Sequence, residues 1–426
     1  MSSVSFVRRG HAFFIIFFLL FILPVISYAG DAAFPAQSYS PEELAKVGEW
    51  EKTWVGKKID KSNISQVAEF LPQSYAGIYK EPDTWGGPPD GLYFYIAPYR
   101  QVMPTQGEIE ATKKYSPLVR TNAHGIIENH TGIAGTPFPA PKTGLEVAYN
   151  YEFNTHGDTS HYRRFAPNIN PKSRTERISE QENSEFYFIH RTELDPRPAL
   201  PDNPRGIHRG YFLNMYKPPE FLNTRYYTLR FIDPAKDDDT YLWYSQFRRI
   251  RRMSTTQRTD SLDGTDLIYD DEFFWDGHLE RNTYTLQGTR DLLCSRHQDM
   301  TKTVRQAGQA VINGLTLERC KTYVLDVVNK DASYIYGKRV WYIDPESYII
   351  LWTDIYDQNG KFWKCFMQNT CPVKTEKGEM KHFIVGSQFN DFQRIHSGLS
   401  DQTVIAVSTE DIKPNMFSIG YLQKTY

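Results

Sequence analysis

The stretch Thr259–Glu280, TDSLDGTDLIYDDEFFWDGHLE, sets Asp263, Asp266, Asp270, Asp271, Glu272, Asp276 and Glu280 among four aromatic rings, shortly after a run of arginines, RRIRR, at Arg248–Arg252. Carboxylates at this density suit three kinds of chemistry: an oxygen-ligand metal site, a catalytic carboxylate pair, or ion pairs that hold an architecture together. An EF-hand needs oxygen ligands at alternate positions, a glycine at six and a glutamate at twelve. Counting from Asp263, the alternate positions hold Thr265 and Leu267, which fail that pattern. Calcium in an irregular loop stays open as a reading, but no residues are assigned as metal ligands. Nothing singles out two acids as a glycosidase-type pair. The architectural reading fits the residue types best. SLDG supplies short acids and a glycine for a tight turn. The excess carboxylates are then expected to meet Arg248, Arg249, Arg251 and Arg252, with Arg249, Arg251, Asp263, Gly264, Asp266, Tyr269, Asp270 and Asp271 forming a structural motif. Exposed pairs contribute only about 0–1 kcal/mol each, so such a latch must be partly buried or serve to fix register.

Other chemistry-bearing residues point nowhere specific. There is no G-x-S-x-G elbow, no H-E-x-x-H pair, no phosphate loop and no dinucleotide fingerprint, so no catalytic residue and no cofactor are assigned. Eleven histidines are scattered singly. His278, beside Asp276, is the first to inspect, although a lone histidine among acids is ordinarily a hydrogen-bonded surface residue. Cys294, Cys320, Cys365 and Cys371 match no zinc or redox spacing. In an oxidising compartment they could form two disulfides, in any of three connectivities; the alternative is four buried thiols.

The elements that must position these residues begin after an export signal. Arg8 and Arg9 precede an apolar run, Ala12–Ser27, and Ser27-Tyr28-Ala29 is a small-residue cleavage pattern, so residues 1–29 are expected to be removed after Ala29. The run is short for a membrane span. Cleavage removes two arginines and no acid, so the mature chain is slightly more acidic than the formal −2 of the whole. No nucleic-acid footprint is present. A helical and loop extension over 30–130 is expected to precede a curved sheet within a single domain, 30–426. Ser40-Pro41 with Glu42 and Glu43 starts one helix. SNISQVAEFLP reads as a shorter helix, and Gly107–Tyr115 as another.

Aromatic residues make up 15% of the chain, mostly Tyr and Phe, which favours β-structure. GLEVAYNYEFN alternates apolar and polar residues and reads as a strand. EFYFIHRTEL, RGYFLNMYK, RYYTLRFID, TYLWYSQFRRIRRM, KTYVLDVVN, KRVWYID, YIILWTDIYD, KFWKCFMQ and KHFIVGSQFNDFQRI read as further strands, with Asn359-Gly360 as a hairpin turn. Thr155–Ser184 reads as including loop. Several strands, YIILWTDIYD above all, are apolar on both faces. The second face must therefore be covered by other parts of the chain or line an apolar cavity.

GTPFPAPKTGLEVAYNY (Gly135–Tyr151), TYLWYSQFRRIRRM and Thr259–Gly288, in that order, resemble a bacterial family of unknown function, DUF1329, whose members are often labelled outer-membrane lipoprotein-sorting proteins. Val340–Lys364 resembles the LolA/LolB-type carriers more broadly. The resemblance implies an α+β, mostly antiparallel fold: a strongly curved open sheet, a half-barrel, with a few helices covering its concave face. In that class the cavity accepts acyl chains. The expected function is then a periplasmic carrier or binding protein for a hydrophobic ligand, such as a lipid, an acyl chain, a lipoprotein anchor or an exported apolar metabolite. By gene-neighbourhood habit, the resemblance also implies an outer-membrane barrel protein or an inner-membrane exporter as partner. Aromatics on the expected strands, Phe94, Tyr149, Trp243, Trp341, Trp352 and Trp363, are the candidate lining. Two rival readings are an interaction module with no ligand and a hydrolase of unrecognised type.

Overall fold

The computed structural model describes residues 38–87, 91–170, 172, 174–253, 258–304 and 309–424. The expected signal segment lies outside them, as does the Asp263 side chain. Among the described residues no helix is long and apolar enough to cross a membrane.

The strands are β1 (Lys58–Ile59), β2 (Phe94–Ala97), β3 (Thr159–Ile169), β4 (Thr175–Tyr187), β5 (Ile207–Lys217), β6 (Arg225–Phe231), β7 (Asp239–Tyr244) and β8 (Arg249–Met253). After the acidic segment come β9 (Asn282–Cys294), β10 (Leu315–Asn329), β11 (Lys338–Ile343), β12 (Ile350–Tyr356), β13 (Phe362–Lys374), β14 (Met380–Asp391) and β15 (His396–Val407). They form one curved, unclosed sheet in the order β1-β2-β10-β11-β12-β13-β14-β15-β3-β4-β5-β6-β7-β8, with β9 also on β10. Every pairing is antiparallel except β2 with β10. Glu318 of β10 pairs with Cys294 on one side and Ala97 on the other, so β9 is one border of the sheet and β8 the opposite one. The chain between these two borders is the acidic segment.

Helices are few: α1 (Pro41–Trp54), α2 (Gln73–Lys80), α3 (Gln106–Tyr115), α4 (Gly144–Phe153) and α5 (Ile419–Leu422), with short 3-10 turns. Ser40, Thr105 and Thr143 each accept the amide three residues on, from Glu43, Glu108 and Glu146, whose carboxylates return the bond. These reciprocal caps satisfy two otherwise unpaired donors at each helix start. SNISQVAEFLP makes two 3-10 turns, Ile64–Gln66 and Ala68–Phe70, rather than a helix.

Two further expectations are corrected. GLEVAYNYEFN is helix α4, not a strand: its Thr143–Glu146 cap starts a helix, and Val147, Ala148, Asn150 and Phe153 are buried on it. TYLWYSQFRRIRRM is a hairpin, β7 and β8, with Thr240 opposite Met253 and Tyr244 opposite Arg249. Thr155–Ser184 includes loop, at Thr155–Asp158 and between β3 and β4, and is otherwise strand, β3 and the first part of β4, with polar residues such as Gln181 and Asn183 buried on it.

Central strands β10–β13 are dry on both faces, and the chain itself covers each face. On one side Ile59, Val67, Leu71 and Tyr75 from the N-terminal layer pack on Val340, Tyr342, Trp352 and Met367. On the other, α3, α4 and the acidic segment pack on Trp341, Ile343, Ile350 and Phe366. Gly144 shows how close that second layer sits: a Cβ there would lie 2.8 Å from the Tyr284 carbonyl oxygen and 3.0 Å from the Leu286 nitrogen, both on β9.

Candidate functional site

The acidic segment crosses the inner face of the sheet, and its carboxylates meet basic groups from strand after strand. Asp266 accepts from Arg394 at 2.7 Å and contacts His396, at the β14–β15 turn. Asp271, fully buried, accepts from Arg339 of β11 at 2.7 Å, from the Tyr336 hydroxyl at 2.8 Å and from the Ile268 amide at 3.0 Å. Glu272 pairs with Arg164 of β3 at 3.0 Å. Asp276 pairs with Arg230 of β6 at 2.6 Å and with Arg209 of β5. Asp270 takes Arg258, within the segment, at 2.6 Å and the Tyr334 hydroxyl at 2.8 Å. Between the charges Phe273, Phe274 and Trp275 pack on the sheet; Phe274 lies 5.5 Å from Phe366 and Trp275 5.9 Å from Trp341, ring centre to ring centre.

The latch is therefore buried, and its arginines are not the expected ones. Arg249 and Arg251 are exposed on border strand β8, where Arg251 lies over the Tyr244 ring. Arg252 pairs with Asp239, not with the segment. Besides Arg258 within the segment, and Arg394 and His396 at the β14–β15 turn, the basic partners are single residues on β3, β5, β6 and β11, adjacent to the segment in space but outside it in sequence. Gly264 closes the SLDG turn in the left-handed region, φ +75°. Tyr269 lines the cleft described below. Burial alone would raise the Asp276 carboxyl, but Arg209, Arg230 and Arg258 outweigh it and bring it down to about 2.

A narrow, solvent-open cleft of about 670 Å³, counting the part open to solvent, lies between this segment and the inner face of β5–β8. Its wall follows the two-residue period of the strands: Arg209 and Tyr211 on β5, Tyr226, Thr228 and Arg230 on β6, Thr240 on β7 and Met253 on β8. Alternate residues, Phe212, Tyr227, Leu229 and Phe231, face the other way and pack under Ile412, Phe417 and Leu422 of the C-terminal segment. From the crossing segment come Arg258, Tyr269, Glu272 and Asp276. The cleft is thus aromatic along its flank and ionic along its floor. A second hollow of about 430 Å³ shares Arg209, Arg230 and Asp276 with it and holds Glu152, His156 and His208. Burial and then Glu280 push the Glu152 carboxyl well above the usual carboxylate range against the pull of Arg230 and Arg209.

None of the six candidate lining aromatics borders the first cleft. Phe94, Tyr149, Trp341 and Trp352 are fully buried in core. Trp352 donates to the Leu293 carbonyl at 3.1 Å, and Trp341 sits among Tyr151, Trp275 and Tyr284. Trp363 donates to Asp391 at 2.9 Å. Trp243 is on the cleft's own sheet but on its other face, in the cluster under the C-terminal segment. The cleft residues were within reach of the sequence. In RGYFLNMYK the cleft takes Arg209 and Tyr211, with Phe212 on the opposite face, and in RYYTLRFID it takes Tyr226, Thr228 and Arg230, with Tyr227, Leu229 and Phe231 opposite.

His278 is buried, lies 3.9 Å from Asp238, and is driven down to about 3 by burial and Arg230. Its Nε2 has no hydrogen-bond partner. Among the described residues no cluster of His, Cys, Asp or Glu could hold a metal ion. The four cysteines are free. Cys365 and Cys371 lie six residues apart on one extended strand, beyond disulfide reach.

A family model described as a protein of unknown function, DUF1329, matches residues 58–417. The chain belongs to the DUF1329 family. Solved structures similar to this DUF1329 chain include an outer-membrane lipoprotein-sorting protein domain from Vibrio parahaemolyticus, with 14% identity, TM-score 0.46, and coverage of 66% of this chain and 98% of that one. A DUF1329 family protein from Desulfovibrio piger has 13% identity, TM-score 0.46, and coverage of 66% and 97%. A LolA superfamily protein from Nitrosomonas europaea has 11% identity, TM-score 0.42, and coverage of 66% and 100%. No curated protein matches the chain significantly.

Proposed function

We propose that this protein is exported to the periplasm and binds a molecule with an apolar body and a polar end in the cleft between β5–β8 and the crossing segment, as a carrier or binding protein without covalent chemistry. The observation that carries the reading is the cleft wall, where Tyr211, Tyr226 and Met253 offer apolar surface beside Arg209, Arg230 and Arg258. The arginines are balanced by Asp238, Asp276 and Asp270, so a hydrogen-bonding end suits the floor as well as a charged one. Each ~40 Å² of apolar ligand surface covered there contributes about 1 kcal/mol before ordering costs. The oily hollow expected over the central strands is not part of this reading, because that face is filled by the protein's own side chains.

The test is titration of delipidated protein with a fluorescent fatty-acid probe. Saturable binding is expected. Thr228→Trp, which fills the cleft, and Met253→Asp, which puts charge at its edge, should each weaken it about tenfold or more while the thermal midpoint holds. A flat titration, or binding indifferent to both substitutions, refutes the reading. The sealed central faces favour a second reading, an accessory that docks on an outer-membrane or export partner and takes no ligand. That reading is favoured if the purified protein carries no extractable lipid by native mass spectrometry.

A further inference from the structure

Three hairpin turns lie at the same end of the β3–β8 half of the sheet: one between β3 and β4, one at 218–224 between β5 and β6, and one at 245–248 between β7 and β8. The strand registers put the last two level, with Asn214 opposite Arg225, Arg225 opposite Trp243 and Tyr244 opposite Arg249, and the first further out, since Glu180 rather than Thr175 lies opposite Lys217. The last two tips are joined. The Ser245 hydroxyl donates to the Leu222 carbonyl at 2.5 Å, and the Gln246 side chain donates to the Glu220 carbonyl at 2.9 Å. On this joined rim Phe247 is 68% exposed, the most exposed large apolar side chain among the described residues, and Leu222 is 48% exposed.

The charge around these two side chains is predominantly basic, with Glu220 the one exposed acid on the joined rim itself among the described residues. Arg248, Arg249 and Arg251 are exposed, and among the described residues none of the three has a carboxylate within ion-pair distance. Lys172 and Arg174 are exposed on the neighbouring tip. Two nearby acids are already engaged, Glu180 with Lys217 at 2.8 Å and Glu176 with His396 at 2.9 Å. Arginines along a border strand could serve simply to prevent edge-to-edge pairing. That role does not call for a phenylalanine projecting into water from the turn beyond the strand. An apolar tip ringed by unpaired guanidinium groups matches the layered chemistry of a bilayer surface, with anionic headgroups outside and acyl chains beneath.

We infer that this rim, Phe247 and Leu222 with Arg248, Arg249 and Arg251, docks the protein on an anionic lipid bilayer. The inference does not depend on the cleft reading, since the rim lies at the strand ends and none of its five residues lines the cleft.

The experiment is co-sedimentation of the signal-free protein with phosphatidylglycerol-containing and with pure phosphatidylcholine vesicles. Binding is expected to the first and not the second, falling as salt rises. Arg248→Glu/Arg249→Glu/Arg251→Glu should weaken it by more than about tenfold, since each basic group near such a surface contributes about fivefold. Phe247→Ser, a single change at an exposed turn that leaves the fold intact, should weaken it several-fold. Thr228→Trp should leave it unchanged, which separates this result from that of the cleft. No sedimentation with phosphatidylglycerol overturns the inference and leaves the rim to a protein partner or to edge protection. Undiminished binding by both rim variants also overturns it.

Discussion

Asp271→Ala is the sharpest test of the buried latch. The carboxylate is 0% exposed and accepts three hydrogen bonds, from the Arg339 guanidinium, the Tyr336 hydroxyl and the Ile268 amide, at 2.7–3.0 Å. Its loss strands a guanidinium 2% exposed, which otherwise donates to the Tyr334 hydroxyl at 3.1 Å. Breaking one side of a buried pair costs about 3–5 kcal/mol, because the uncompensated charge remains in the interior. For a chain of this size that corresponds to a fall in thermal midpoint of roughly 5 °C or more. Urea unfolding followed by circular dichroism, alongside a thermal melt, measures both. Arg252→Ala, which breaks the exposed pair with Asp239, provides the scale and should cost less than about 1 kcal/mol. Replacing both buried partners, Asp271→Leu with Arg339→Met, should recover most of the loss, since an apolar pair in the same space leaves no stranded charge. The reasoning fails if Asp271→Ala costs no more than Arg252→Ala, or if the double replacement is no better than the single one.

Four further outcomes are expected. Gly144→Ala drives a methyl group against β9 backbone and should destabilise by about 1–3 kcal/mol in the same unfolding assay; a neutral result means α4 does not sit that close. Asp266, chiefly through its hydrogen bond, and Glu176 raise the His396 pKa above its ordinary 6.5, so the protonated ring gives stability that is full below pH 6.5 and is lost as pH climbs through the raised value. His396→Gln should flatten that alkaline fall. Burial lowers His130 to about 4, so the unfolded chain takes up a proton below pH 6.5 that the fold refuses, and stability falls on the acid side; His130→Gln should move the acid unfolding midpoint down. A thiol reagent should titrate four groups after denaturation and only Cys371 rapidly in the native protein, as Cys294, Cys320 and Cys365 are fully buried; a missing pair after denaturation would mean a disulfide.

Most strands of the C-terminal half were legible because residues such as Ile350–Tyr356 carry strong local β signals and a clear Asn-Gly turn. Helix α4 was not, because Leu145, Val147, Tyr149, Tyr151 and Phe153 satisfy a two-residue period by coincidence, while the cap at Thr143 and Glu146 signals a helix. The first half of β4 was hidden by composition: Gln181, Asn183 and Glu185 point inward to other polar groups, so apolar alternation never appears. The acidic segment was recognisable as a latch, but its partners were not. Arg164, Arg209, Arg230 and Arg339 are each unremarkable in their own strands, and only the curvature of the sheet brings them under one stretch of chain. The conspicuous arginine run lies at the border because a residue with no buried partner is tolerated there.

The crossing segment joins the two unpaired borders of an open sheet, and it is anchored at intervals along the way. It therefore acts like the string of a bow. The bend of the whole sheet is tied to the length of a single span, and adding residues between two anchors should slacken the arc without touching any strand.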